Sequence, residues 1–322
     1  MNSFRNHRLR DFSVPMSTNW LLNDLAEAKG KQELYTRQSP QLLKALREMA
    51  LVQSVESSNR IEGVTVDADR LRPLVLGHAR PKDRSEQEIA GYRQALNIVH
   101  TKAGQLQITP DLMRRLHKLC QEGSGDAGQF KKVDNEVIEL RPGAAPLVRF
   151  KCVSPKATSA AVDELCLVYR HAIDQDHIPP LVAIGALILD FLCIHPFRDG
   201  NGRVSRLLTL LALYQHGYEA GRYLSLERLI EETKEDYYHV LRQSSQPGTT
   251  ANTTCCRGSI IFSPSPAAPT SNLNNAPARS EHRAARRPDS SSMPSASNLA
   301  TSVCATLNTP VPALAANGFA LC

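Results

Sequence analysis

Twelve residues, His195 to Arg206, read HPFRDGNGRVSR and combine side chains suited to phosphate chemistry. Gly200 and Gly202 allow backbone conformations that turn successive N–H groups toward one point, and a strongly helical segment follows directly. A glycine-rich loop that enters a helix N-terminus is a natural binding site for anions. The sequence therefore predicts an anion-binding loop between two helices.

The polar side chains of this segment supply the other parts of a transfer reaction. Asp199 is a hard oxygen ligand of the kind that Mg²⁺ takes together with water and substrate phosphates. The Asn201 amide can donate to a phosphate oxygen, and His195 can take a proton from an attacking hydroxyl. Arg203 and Arg206, three apart on the next helix, are expected to face one polyanion. Together these residues indicate phosphoryl or nucleotidyl transfer.

Two further residues shape the loop. Pro196 disfavours helical geometry at His195 and so ends the preceding helix. Phe197 is expected to anchor the loop by burying its ring in the core. Each feature alone has a plainer interpretation, since a Gly-x-Gly is often a turn and a histidine after an apolar helix is often packed. Their combination in this order favours a site.

Helix signals dominate the chain up to residue 246. Ser39-Pro40 begins a helix that Gly63 ends, and Ser85 with Glu88 predicts a capping box for the next one. Further helices are predicted from Thr109-Pro110 onward and at Ala157 to Asp174, Pro180 to Ile194, Arg203 to His216 and Ser225 to Ser245.

Residues 128 to 155 break this helical pattern. Apolar alternation through Val137 and Leu140, a Pro142-Gly143 turn and a second alternation from Leu147 predict a β-hairpin. A lone hairpin is marginally stable, so it is expected to lie against the helices as a flap. A solvent-facing ribbon is the alternative.

Composition excludes several classes of protein. The last 76 residues, from Pro247, hold nine of the twenty prolines, no lysine and two aromatic residues, which predicts a disordered tail. The tail carries five arginines against two acidic residues, 5 − 2 = +3 of the net +6, which leaves only about half of the net charge for the rest of the chain. Because that charge is small and forms no basic stripe, nucleic-acid binding is not indicated. The longest apolar run, Leu181 to Ile194, is interrupted by Asp190 and too short for a bilayer. With no secretory signal and no disulfide or metal pattern in its eight cysteines, a cytoplasmic protein is expected.

At every defined position the segment resembles the Fic family motif HxFx(D/E)GNGRxxR, and the resemblance extends over about residues 30 to 245. It implies a mainly α, Fic-type helical bundle with a β-hairpin flap that transfers AMP from ATP to a Tyr, Thr or Ser hydroxyl of a target protein. In that scheme His195 is the general base and Asp199 holds Mg²⁺ between the α- and β-phosphates. Gly200 to Gly202 form the anion hole, and Arg203 and Arg206 bind the phosphates.

The resemblance also assigns roles outside the motif. The flap would align the target as an added strand, with Val133 to Leu140 as the candidate edge and Val133, Val137 and Leu140 as docking side chains. Tyr237 and Tyr238 are similar to the paired tyrosines that border the nucleotide base, although a plain core pair is the alternative. Self-modification and a homodimer are further options.

Upstream, Ser58 to Gly63 matches the (S/T)xxxE(G/N) inhibitory motif of one Fic subclass. Glu62 is expected to pair with Arg206 and withdraw the arginine that receives the γ-phosphate; the alternative is a surface glutamate near a helix end. The predicted organisation is an N-terminal helical region with this motif at 1–84, a catalytic core at 85–246 and the tail at 247–322.

Other functions stay open at this point. A Doc-type kinase resembles this motif but carries lysine where Gly202 stands, which argues against it. A regulatory protein that binds nucleotide without catalysis is an alternative. In similar proteins a glutamate like Glu62 also assists removal of AMP, so an enzyme that both adds and removes AMP is a further option. The tail has two interpretations, because codons for Pro247 to Ser263 read in another frame permit WHDGKHDLLPWFNYFL, which resembles the family's continuation. It is then either a natural disordered tail or a frame-shift product.

Overall fold

Helices make up most of residues 3–5, 8–10, 13–37, 39–139 and 147–245, the part of the chain that the computed structural model describes. In chain order they are α1 (Met16–Gly30), α2 (Gln32–Thr36), α3 (Pro40–Ile61), α4 (Ala68–Leu76), α5 (Arg84–Lys102), α6 (Pro110–Cys120), α7 (Pro155–Asp174), α8 (Pro180–Ile194), α9 (Asn201–Gln215), α10 (Leu226–Glu232) and α11 (Lys234–Ser245). Between α6 and α7, the strands β1 (Glu136–Glu139) and β2 (Leu147–Lys151) pair antiparallel. The predicted mainly α fold with a hairpin is confirmed, while the predicted tail and the Pro142-Gly143 turn lie outside the described residues.

Local sequence chemistry sets two of the helix starts as predicted. The Ser39 hydroxyl accepts a hydrogen bond from the Leu42 N–H at the start of α3, and Pro40 occupies the first helical position. Thr109 caps α6 through the Leu112 N–H in the same way. A side-chain oxygen followed by proline is therefore sufficient to begin both helices.

Two predicted boundaries are wrong. The Ser85 capping box does not form, because the Asp83 carboxylate accepts from the Glu86 N–H and begins α5 earlier; Glu88 lies inside the helix and is buried. The helix predicted at Ser225 to Ser245 is two helices, α10 and α11, which separate at Thr233.

The core is built around α8, whose side chains are apolar on nearly every face. Most of its residues are buried, including Leu187 and Phe191, and it packs against both α7 and α9. Helix α9 also packs on α5 and α6, and α3 packs on α5 and α10. None of the helices in the described ranges combines the length and apolar character needed to cross a lipid bilayer. The result is that α9 begins at a point surrounded by α3, α5, α6 and the end of α8.

Helices α5 and α6 approach each other closely at Gly91. A Cβ atom added at Gly91 would overlap the backbone carbonyl of Leu119 on α6. Since a backbone atom cannot turn aside as a side chain can, the two helices would have to separate. This contact sets the distance between the two helices that carry Glu88 and His117.

We expect Gly91→Ala to lower the free energy of unfolding by about 1–3 kcal/mol through this overlap. Urea denaturation of the two proteins measures the difference. The matched control is Gly30→Ala at the end of α1, where an added Cβ meets nothing within 4 Å, so its stability should be unchanged or slightly raised. Equal midpoints for the two variants would contradict the close approach.

Candidate active site

His195 ends α8 in the left-handed region, with φ 51° and ψ 61°. Its N–H still donates to the Phe191 carbonyl at 2.9 Å, and Pro196 prevents the helix from continuing. Its Nδ1 lies 3.3 Å from the Leu192 carbonyl. Because a carbonyl only accepts, Nδ1 carries the proton, and Nε2 keeps a free lone pair.

The electrostatic surroundings of His195 favour the neutral ring. Burial lowers its pKa below the usual value and Lys131 lowers it further, whereas Glu62 and Asp199 act in the opposite direction. A neutral imidazole with a free Nε2 has the protonation state that a general base needs.

Phe197 is fully buried and holds the loop to the core. Its ring stacks on His117 with centroids 3.9 Å apart and an interplanar angle of 3°, and Phe130 and Phe191 lie on its other sides. Stacked and tilted aromatic contacts add to the stabilisation from burial. The loop on either side of Phe197 is therefore fixed at its centre.

Asn201 has different partners from those that the sequence suggested. It is 2% exposed, its Oδ1 accepts from the Phe197 N–H at 3.0 Å, and its Nδ2 donates to the Phe197 carbonyl at 2.8 Å. The amide proposed as a phosphate donor thus closes the loop backbone, because both ends of the side chain are used within it.

His117 contacts the loop although no sequence pattern indicated it. Its Nδ1 accepts from the Gly128 N–H at 2.9 Å, which leaves Nε2 to donate to the Asp199 carbonyl at 3.0 Å. Burial lowers its pKa, and a proton on both nitrogens would break the Gly128 bond. The available signal was its spacing from Met113 and Cys120, which puts it on the buried face of α6.

The first turn of α9 lies directly under Glu62. Gly200 has φ 75°, and a Cβ added at Gly202 would overlap the Glu62 carboxylate. Only glycine therefore fits at position 202 while Glu62 occupies this place. The carboxylate lies where the sequence predicts an anion at the helix N-terminus.

Asp199 faces solvent, and its carboxylate accepts from the Gly200 N–H at 2.6 Å. Within the described ranges no group of three or more His, Cys, Asp or Glu side chains could hold a metal ion. One exposed carboxylate fits Mg²⁺, which completes its coordination with water and substrate phosphates.

Arg206 is 4% exposed, and its Nε and Nη2 are bound by the end of α3 and its cap. Its Nε donates to Ser58 Oγ at 2.8 Å, and its Nη2 donates to the Ser58 carbonyl at 2.9 Å and to Glu62 Oε1 at 2.8 Å. Burial alone would lower the pKa of Arg206, but the Glu62 carboxylate raises it above the usual value. The structure therefore contains the Glu62–Arg206 ion pair as a charged pair.

Arg203 does not share this direction, contrary to the expectation that both arginines face one polyanion. It is 1% exposed, and its Nη1 donates to Glu88 Oε2 at 2.6 Å and to the Cys120 carbonyl at 3.3 Å. Arg203 Nη1 also donates to Asn59 Oδ1 on α3 at 3.4 Å. The two guanidinium groups nevertheless take different carboxylates, Glu88 of α5 for Arg203 and Glu62 at the end of α3 for Arg206. Arg203 thus ties the start of α9 to its neighbouring helices.

Two further groups of residues were predicted, on the flap and on α11. Val133, before β1, is 62% exposed, Val137 pairs with Phe150 across the hairpin, and Leu140 lies outside the described residues. Tyr237 is buried and Tyr238 exposed, with their rings edge to face at 5.3 Å. The two tyrosines therefore have unlike surroundings.

The structure thus places a glycine loop, a histidine and a buried arginine at the start of one helix in a helical fold. Residues 107–213 match the Fic/DOC family model, so the chain contains a Fic/DOC family domain. Proteins of this family generally transfer nucleotidyl groups to proteins, with ATP as the general co-substrate.

Solved structures share the fold. A Fic domain containing signaling protein from Bacteroides thetaiotaomicron is 22% identical with a TM-score of 0.61, over 74% of this chain and 91% of that one. A Fic family protein from Desulfovibrio desulfuricans is 21% identical with a TM-score of 0.58, over 77% and 73%. Fic-1 from C. elegans is 20% identical with a TM-score of 0.56, over 76% and 67%.

We expect Glu88→Gln to destabilise the protein by about 3 kcal/mol, because it leaves the Arg203 charge buried without a carboxylate. Chemical denaturation measures the change. Glu232→Gln is the matched control, since Glu232 makes an exposed i,i+4 ion pair with Arg228 and should lose at most about 0.5 kcal/mol. Similar losses in both variants would show that the buried Arg203–Glu88 pair contributes no more to stability than an exposed ion pair.

Proposed function

We propose that the protein transfers AMP from ATP to a Tyr, Thr or Ser hydroxyl of a target protein, and that Glu62 restrains this activity. The observation that carries the proposal is the Glu62 carboxylate lying over Gly202 and bound to Arg206. A protein anion thus occupies the predicted anion site beside a histidine with a free Nε2.

The chemistry follows from the positions of the protein groups. His195 Nε2 takes the proton of the target hydroxyl, whose oxygen attacks the α-phosphorus while the bond to pyrophosphate breaks. The N–H groups at the start of α9 would hold the phosphates in place. Mg²⁺ bound by Asp199 would neutralise charge on the phosphate oxygens.

Restraint by Glu62 acts through Arg206. While the guanidinium is bound to Ser58 and Glu62, its Nε and Nη2 donors are withheld from a γ-phosphate. ATP could still bind, but with its α-phosphate out of line with the hydroxyl. A 100-fold restraint corresponds to about 2.7 kcal/mol, which one partly buried ion pair can supply.

The identity of residue 202 disfavours a Doc-type kinase, because that subclass carries lysine where this chain has Gly202. The nucleotide-binding regulator without catalysis is the remaining alternative. AMP removal, a cytoplasmic location, self-modification and a homodimer stay predictions.

We expect Glu62→Gly to raise AMP incorporation by about 100-fold over the wild type, because Arg206 is released and the space over Gly202 opens. Glu62→Gln, which keeps the bulk but not the charge, should give a smaller rise. Radiolabelled ATP with a cell lysate, followed by mass spectrometry of the modified peptides, measures incorporation and distinguishes AMP from phosphate.

His195→Ala in the Glu62→Gly background is the control and should abolish labelling without abolishing ATP binding. Equal labelling of wild type and Glu62→Gly would refute the restraint. ATP-dependent thermal stabilisation with no labelling in any variant would favour the regulatory alternative.

A further inference from the structure

Lys131 and Asn135, in the segment that leads into β1, bind four consecutive backbone carbonyls where α8 passes into the loop. We name this pair of residues the loop clamp. The Lys131 N–H donates to the Pro196 carbonyl at 2.9 Å, and its Nζ donates to the Ile194 carbonyl at 3.0 Å. Asn135 Nδ2 lies 3.4 Å from the His195 carbonyl and 3.0 Å from the Phe197 carbonyl.

The clamp residues also hold each other. Lys131 Nζ donates to Asn135 Oδ1 at 2.7 Å, which directs the Asn135 amide nitrogen toward the loop. Lys131 is 5% exposed, so its ammonium group depends on these oxygens for the hydrogen bonds that water would otherwise supply. An ammonium at the C-terminal end of α8 also interacts favourably with the helix dipole.

Of these carbonyls, that of Ile194 belongs to α8 and the other three belong to the loop. Because His195 leaves the helix in the left-handed region, the Ile194 carbonyl has no N–H from a following turn. A left-handed histidine is uncommon and persists only where its surroundings determine it. The clamp supplies such surroundings on both sides of His195.

Asn135 directly precedes Glu136, the first residue of β1. The residue that leads into the flap therefore also binds, through its side chain, the carbonyls on either side of Pro196. We propose that Lys131 and Asn135 are positioning residues that hold His195 in its proton-accepting orientation and link it to the flap that receives the target. This inference rests on the proposed function and identifies what sets the geometry between base and target.

Asn135→Asp tests the clamp in the Glu62→Gly background. The substitution keeps the side-chain shape but turns a carboxylate oxygen toward two carbonyl oxygens in place of the donor nitrogen. We expect kcat for AMP incorporation to fall at least about 10-fold, since misplacing reacting groups by small distances is costly, while KM for ATP stays within about 2-fold of the parent. Lys131→Met should show the same division between kcat and KM.

Lys132→Met is the matched control for Lys131→Met, because Lys132 is exposed and adjoins the clamp. Asn97→Asp, on the exposed face of α5, is the matched control for Asn135→Asp. Both should match the parent. A loss of kcat in Asn135→Asp no greater than in these controls would overturn the positioning role.

Folding is followed by ATP-dependent thermal stabilisation of each variant, with Asn135→Ala as a milder replacement. Retained stabilisation with reduced kcat supports the clamp. If Asn135→Asp and Asn135→Ala each lose both the ATP-dependent stabilisation and kcat, the role of Asn135 is generally structural and the proposal is overturned. If the Glu62→Gly parent itself incorporates no AMP, the proposed function fails, and this result is distinct from an active parent with active clamp variants.

Discussion

Two buried guanidinium groups on the first turns of α9 impose the constraint on which the rest of the structure depends. Each needs a carboxylate or several oxygens within reach, because an unpaired buried charge is very costly. Arg203 takes Glu88 from α5, and Arg206 takes Ser58 and Glu62 from the end of α3. The start of α9 is thereby fixed between α3 and α5, which are distant from it in sequence. This also fixes the position of the loop that precedes α9.

The loop itself is oriented through its carbonyl groups. The clamp, Asn201 and His117 bind the carbonyls of residues 194–197 and 199 from the protein side. The N–H groups of His195, Phe197 and Gly200 are bound within the protein as well, by the Phe191 carbonyl, Asn201 Oδ1 and the Asp199 carboxylate. The loop backbone is therefore held through both its carbonyl and its N–H groups.

The sequence was sufficient to predict those features that depend on residues close together in the chain. Ser39-Pro40 and Thr109-Pro110 set helix starts, and Pro196 ends α8, because each acts within one turn of chain. The motif identified which residues form the centre, but not what Asn201 and Arg203 bind. Arg203 and Glu88 are 115 positions apart, and His117 and Asp199 are 82 apart. Such partners follow from helix packing, which local patterns do not specify.

Glu62 and a bound phosphate would require the same feature, the missing side chain at Gly202. Both are anions, and both would neutralise Arg206, so exchanging one for the other leaves the buried guanidinium paired throughout. The exchange also needs little movement of the fold, because Glu62 caps α3 at its last turn, its side chain is partly exposed, and Gly63 follows with φ 79°. An ion pair that an equivalent one can replace closes the site without leaving a buried charge unpaired when the site opens. In the proposed function, this replacement allows a single carboxylate to regulate transfer without unfolding the helix that carries it.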